Sequence, residues 1–152
     1  MAVLITDDRE LMKMPLESLR QTAQALLNEL GSPEGELSIL ITDDKNIAAI
    51  NRDYFNRPWP TNVISFSMME GEFADVNPEA KMLGDIVISM ETAEREAVEA
   101  DMPVEENIVR LLVHGLLHIF GYDHEAPDAD AEGMARKSEQ LLEMLKNERL
   151  LE

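Results

Sequence analysis

Two rhythms of apolar residues alternate along the chain, and together they outline its elements. Behind Pro15, residues Leu16, Leu19, Ala23, Leu26, Leu27 and Leu30 recur every three or four positions, the spacing of one helix face, and Gly31 closes the run. "ELSILIT" switches to period two and ends in β-branched residues, which predicts a strand from Leu37 to Ile41. Val3 to Ile5 reads as a shorter strand. "TDDKNIAAINRDYF" opens on capping residues and sets Ile47, Ile50 and Tyr54 on one helical face. The prolines of "RPWPTN" mark a loop. "VISFS" and "GDIVIS" read as strands on either side of an acidic loop from about Glu70 to Lys81, and Glu91 to Ala100 as a short helix ended near Pro103.

"VEENIVRLLVHGLLHIF" has a different pattern. Its apolar residues cover nearly the whole helical circumference, which predicts a buried central helix, with Gly121 as its C-terminal cap. A last amphipathic helix, roughly Asp130 to Glu148, carries Met134, Leu141, Leu142 and Leu145. Strands and helices are interspersed, without an internal repeat or a linker. The expectation is one α/β (α+β) domain over residues 1–152, a small mixed sheet of about four strands with about five helices.

Composition narrows the setting. No apolar run approaches the roughly 20 residues that span a bilayer. The N-terminus lacks the basic n-region and h-region of a signal peptide, and there is no cysteine for a disulfide or a thiolate metal site. A cytoplasmic protein is expected. The net charge of −18 argues against broad nucleic-acid affinity. Its distribution is uneven. Glu70 to Glu106 holds twelve acids against Lys81 and Arg95, whereas Lys45 to Arg57 holds Lys45, Arg52 and Arg57 against Asp53 alone, a local +2. Asn107 to Tyr122 contains Arg110 and no acid.

All three histidines lie within or just beyond that segment, in "HGLLHIFGYDH" at 114–124. His114 and His118, four apart on a helix, share one face and are spaced to grip one metal ion. His124 lies beyond Gly121, which lets the chain turn back to supply a third imidazole. Three histidines on zinc leave a fourth position for water, the arrangement of a catalytic rather than a closed site. The spacing is that of the metzincin proteases, H-E-x-x-H-x-x-G-x-x-H, but Gly115 replaces the glutamate that serves those enzymes as general base. Peptide hydrolysis is therefore not expected. Gly115, costly in a helix interior by about 1 kcal/mol, is expected to open room for a bulky substrate beside the metal.

The same motif resembles the H-G-x-L-H-L-x-G-Y-D-H of the YbeY-type endoribonuclease and rRNA maturation family. "PTNVISF" at 60–66 and "LGDIVIS" at 83–89 match further family segments in order and spacing, and Met134 falls where the family has a methionine. The resemblance covers most of the chain. It implies a zinc-dependent, single-strand-specific RNase acting in 16S rRNA 3′-end maturation, ribosome quality control and small-subunit assembly. One zinc ion would be held by His114, His118 and His124. There is one departure: the family often has an arginine after the tyrosine of N-x-x-Y-R, and here that residue is Phe55.

Arg57, two residues on, is the candidate to stabilise charge on phosphate oxygens, with Arg52 behind it. Asp123 is a candidate base or histidine-orienting carboxylate, and Asp85 a second carboxylate candidate. The partners expected are single-stranded rRNA and the small ribosomal subunit, with docking through a basic ribosomal protein one route. No DNA or membrane partner is expected. Two alternatives stay open: a non-catalytic, zinc-containing assembly factor, and a metal-dependent hydrolase of another substrate class.

Overall fold

The computed structural model describes residues 3–7, 9–68, 82–122, 128–148 and 150, with 128–132 described by backbone alone. The chain runs β1 (Val3–Thr6), α1 (Leu16–Glu29), β2 (Glu36–Thr42), α2 (Asp44–Phe55), β3 (Val63–Ser67), β4 (Met82–Ser89), α3 (Met90–Glu99), α4 (Val104–Ile119) and α5 (Asp128–Asn147). The four strands form one mixed sheet in the order β1-β2-β4-β3, with β3 alone antiparallel. The α/β expectation of about four strands and five helices holds. The acidic loop from Glu70 to Lys81 lies outside the described residues.

Each element has a local cause. Pro15 presets φ at −60° just ahead of α1, and the apolar stripe behind it buries Leu19, Ala23, Leu26 and Leu27. Gly31, at φ 83°, ends the helix, and the Ser32 N–H returns to the Leu27 carbonyl at 2.8 Å. Asp43 caps α2 by accepting from the Asn46 N–H at 2.9 Å.

The sheet separates two apolar layers. Ile86 and Ile88 of β4 face the main core, built from α1, α4 and α5 with Met90 and Ala93 of α3. Val87 faces the other way and joins Ile47, Ile64 and Phe66 in a smaller cluster under α2. As the pattern predicts, α4 runs through the main core, with Ile108, Leu112, Val113, Leu116 and Leu117 all fully buried.

Gly115 does not do what the sequence suggested. It is buried where α4 crosses the sheet, and a Cβ built there would meet Cδ1, Cγ2 and Cγ1 of Ile86 at 3.2–3.3 Å. The missing side chain lets helix and sheet approach each other, rather than making room for substrate. The reason is angular: one residue along a helix is a rotation of about 100°, which turns position 115 from the histidine face toward β4.

Candidate metal centre

Between Leu111 and Ile119 every residue of α4 is buried except His114 and His118, which are half-buried. One turn apart, their rings lie with centroids 4.7 Å apart at 66°. Their Nε2 atoms converge to 3.2 Å. At that distance either one nitrogen hands a proton to the other, or both aim their lone pairs at one cation. The pair also sits in the last turns of α4, where the helix dipole favours positive charge.

The C-terminus of α4 turns as predicted. Gly121 adopts φ 95°, its N–H donates to the His118 carbonyl, and the Tyr122 N–H reaches back to the Leu117 carbonyl at 2.9 Å. The described backbone there ends at Tyr122, two residues before His124. His124 and Asp123 themselves lie outside the described residues, and among the described residues no group of three His, Asp or Glu could hold a metal.

The other candidates fall elsewhere. Asp85 alternates with Ile86 and pairs in register with Phe66, so its side chain shares the α2 face with Val87. That is the face opposite Ile86, against which Gly115 of α4 packs. Arg57 is exposed in the loop after α2, and its side chain makes no hydrogen bond or ion pair among the described residues. Arg52 is exposed and paired with Asp53 at 3.0 Å.

Several polar residues missed at the sequence level hold the scaffold around the pair. Ser67 Oγ, at the end of β3, donates to the Ile119 carbonyl at 3.0 Å and ties the edge strand to the turn beside His118. Asn62 donates to the Glu96 carboxylate at 3.1 and 3.3 Å, and buried Asn107 donates to the Ala93 carbonyl at 2.9 Å. Asp44 accepts from Ser89 Oγ and Thr92 Oγ1, each at 2.6 Å, and pairs with Arg95 at 2.9 Å. Burial raises the Asp44 pKa, but the Ser89, Thr92 and Arg95 contacts together outweigh it and hold the carboxyl below its ordinary value. Asp43 is likewise held low, first by the hydrogen bond from Arg9. Of the motif residues, Asn62 and Ser89 are therefore structural. The signal for Ser89 in the sequence was a polar residue at a strand end followed by helix, the mark of a cap.

A family model described as endoribonuclease YbeY matches residues 4–146. The chain belongs to the endoribonuclease YbeY family. An endoribonuclease YbeY of Syntrophotalea carbinolica is 47% identical over 137 residues, 90% of each chain. One of Geobacter sulfurreducens is 45% identical over 148 residues, 97% of each chain. A Thermotoga maritima protein solved in solution superposes with a TM-score of 0.65 at 22% identity, over 96% of this chain and 90% of that one, a likeness of fold. The family is one of enzymes that cut RNA phosphodiester bonds internally. Membership also bears on Gly115, since it removes the protease reading on grounds independent of the missing glutamate.

Proposed function

We propose that this chain is a zinc-dependent, single-strand-specific endoribonuclease acting in 16S rRNA 3′-end maturation, ribosome quality control and small-subunit assembly, in the cytoplasm. The observation that carries the reading is the 3.2 Å separation of the His114 and His118 Nε2 atoms. Two imidazoles at the usual zinc–nitrogen distance and tetrahedral angle stand about 3.3 Å apart, so the pair fits the ion. His124, which follows the Gly121 reversal in the sequence, is proposed as the third ligand. One zinc ion there would polarise a phosphoryl oxygen and bring the pKa of a bound water toward neutrality.

The chain's own residues do the rest. The buried length of α4 fixes both rings in one orientation, so little reorganisation accompanies binding. Arg57, a guanidinium without a side-chain partner among the described residues, is proposed to bind phosphate oxygens as charge builds on them. Asp123 is proposed to orient a histidine through its free ring nitrogen.

The net charge of −18 favours a second reading, in which the protein acts chiefly as an assembly factor docked on a basic ribosomal protein. One experiment separates the two: metal content and cleavage of a single-stranded rRNA fragment by the wild type, His114→Ala and Arg57→Ala. The nuclease reading expects one equivalent of zinc and activity lost with His114. Cleavage that persists in zinc-free His114→Ala protein overturns it. Binding to small subunits without cleavage supports the second reading.

A further inference from the structure

Aromatic residues are scarce in this chain, only 5%, yet four of them, Tyr54, Phe55, Trp59 and Phe66, fall in one short stretch. Phe66 is half-buried on the small cluster under α2, whereas the other three are exposed. Tyr54 is 70% exposed, Trp59 57% and Phe55 45%. They are also ordered against one another. Phe55 stacks on Phe66 with centroids 5.8 Å apart and planes 16° off parallel, and Tyr54 meets the same ring edge-on at 5.0 Å. The loop that carries Trp59 is clamped from beneath: buried Asn51 donates from Nδ2 to the Trp59 carbonyl at 3.0 Å, and accepts from the Arg57 N–H at 3.3 Å. Flat rings are thus held open to solvent on a fixed base.

We propose that Tyr54, Phe55, Phe66 and Trp59 form a stacking platform for the unpaired bases of RNA. Every base presents a π-face, so such a platform binds single strands without reading sequence, and a paired base cannot reach it. This rests on the endoribonuclease reading and adds the device that would select unpaired RNA.

Two observations favour RNA over another occupant. The first is charge. Arg52, three residues before Phe55, and Arg57, two after it, lie in a stretch of local charge +2 in a chain that carries −18 overall. Asp53 offsets Arg52, whereas Arg57 has no side-chain partner among the described residues. A basic protein would prefer the acidic faces, and a second copy of a chain carrying −18 would be repelled. The second is continuity. Phe66 lies on the edge strand β3, and its neighbour Ser67 is bonded to the Ile119 carbonyl, one residue past His118. Phe66 faces the α2 side of this edge strand and Ser67 the α4 side, so an RNA that reached both would pass around the edge.

Trp59 is the chain's single tryptophan, so its emission reports on the platform directly. Titrating an unstructured 12-nucleotide RNA into wild type and into His114→Ala is expected to quench that emission in both, and the same RNA annealed to its complement is expected to leave it unchanged. Tyr54→Leu/Phe55→Leu keeps apolar volume and removes the π-faces. It is expected to raise KM for single-stranded RNA by about 10-fold with kcat within about twofold, and Tyr54→Phe/Phe55→Tyr to restore wild-type KM. Unchanged emission on saturating RNA, or unchanged KM in the leucine variant with cleavage intact, overturns the platform and leaves the nuclease reading standing. Quenching without cleavage in wild type supports the platform and removes the nuclease reading. Sedimentation showing a wild-type dimer that the leucine variant dissolves also overturns the platform, assigning the rings to self-association.

Discussion

Gly115 rests against Ile86: three carbons of the isoleucine lie within 3.2–3.3 Å of where a Cβ would stand. Ile86 is fully buried and its β-branched side chain has little freedom to retreat. Gly115→Ala is therefore expected to destabilise the fold by about 1 kcal/mol, because overpacking outweighs the gain in helix propensity. Gly115→Glu, which restores the protease spacing, is expected to lose about 3 kcal/mol or more by burying a carboxylate, and to gain no peptidase activity. Ile86→Val should recover part of the Gly115→Ala loss by removing Cδ1. Urea unfolding of the four proteins of that cycle measures the coupling.

His114 and His118 carry the metal proposal. His118→Ala is expected to lower zinc occupancy in the purified protein and cut RNA cleavage by about 100-fold or more, since loss of a ligand exceeds the usual effect of losing a ligand's hydrogen-bond partner. If zinc binds at the pair, chelation should lower stability by about 2.7 kcal/mol relative to protein at one hundred times Kd. An unfolding curve unmoved by chelator would count against metal bound in the folded state.

The Asp44 carboxyl gives a pH signature. Its folded pKa lies below the ordinary value, so its contribution is present at neutral pH and is lost as pH falls below about 4. Asp44→Asn is expected to be less stable than wild type at pH 7, with the difference shrinking toward pH 3. Chemical denaturation at the two pH values checks this, and a difference that grew on acidification would have the wrong sign.

Gly84 permits the β3–β4 pairing. At φ 154° it lies in a region that side chains rarely adopt, and a Cβ there would collide with the Phe66 carbonyl oxygen. Gly84→Ala is expected to destabilise by about 2–4 kcal/mol, with the loss of exchange protection concentrated in β3. Uniform protection with unchanged stability would show that the strands accommodate the methyl.

Apolar periodicity alone determined the order of helices and strands, because burying one face imposes a spacing of 3.6 or 2 whatever the neighbours are. It also determined the all-round apolar α4, the return at Gly121 and the shared face of His114 and His118, all of which are local geometry. Only the tertiary structure decided which way Gly115, Asp85 and Phe55 point. Gly115 turned out to face Ile86, since its partner lies on a strand many residues away. Asp85 fell on the α2 face with Val87, since a one-residue difference in phase along β4 selects the opposite face from Ile86. Phe55, which stands where an arginine was expected, found Phe66 across the α2–β3 connection. Spacing along the chain sets what neighbouring residues share, whereas contacts across the sheet depend on register and crossing geometry that no local pattern encodes.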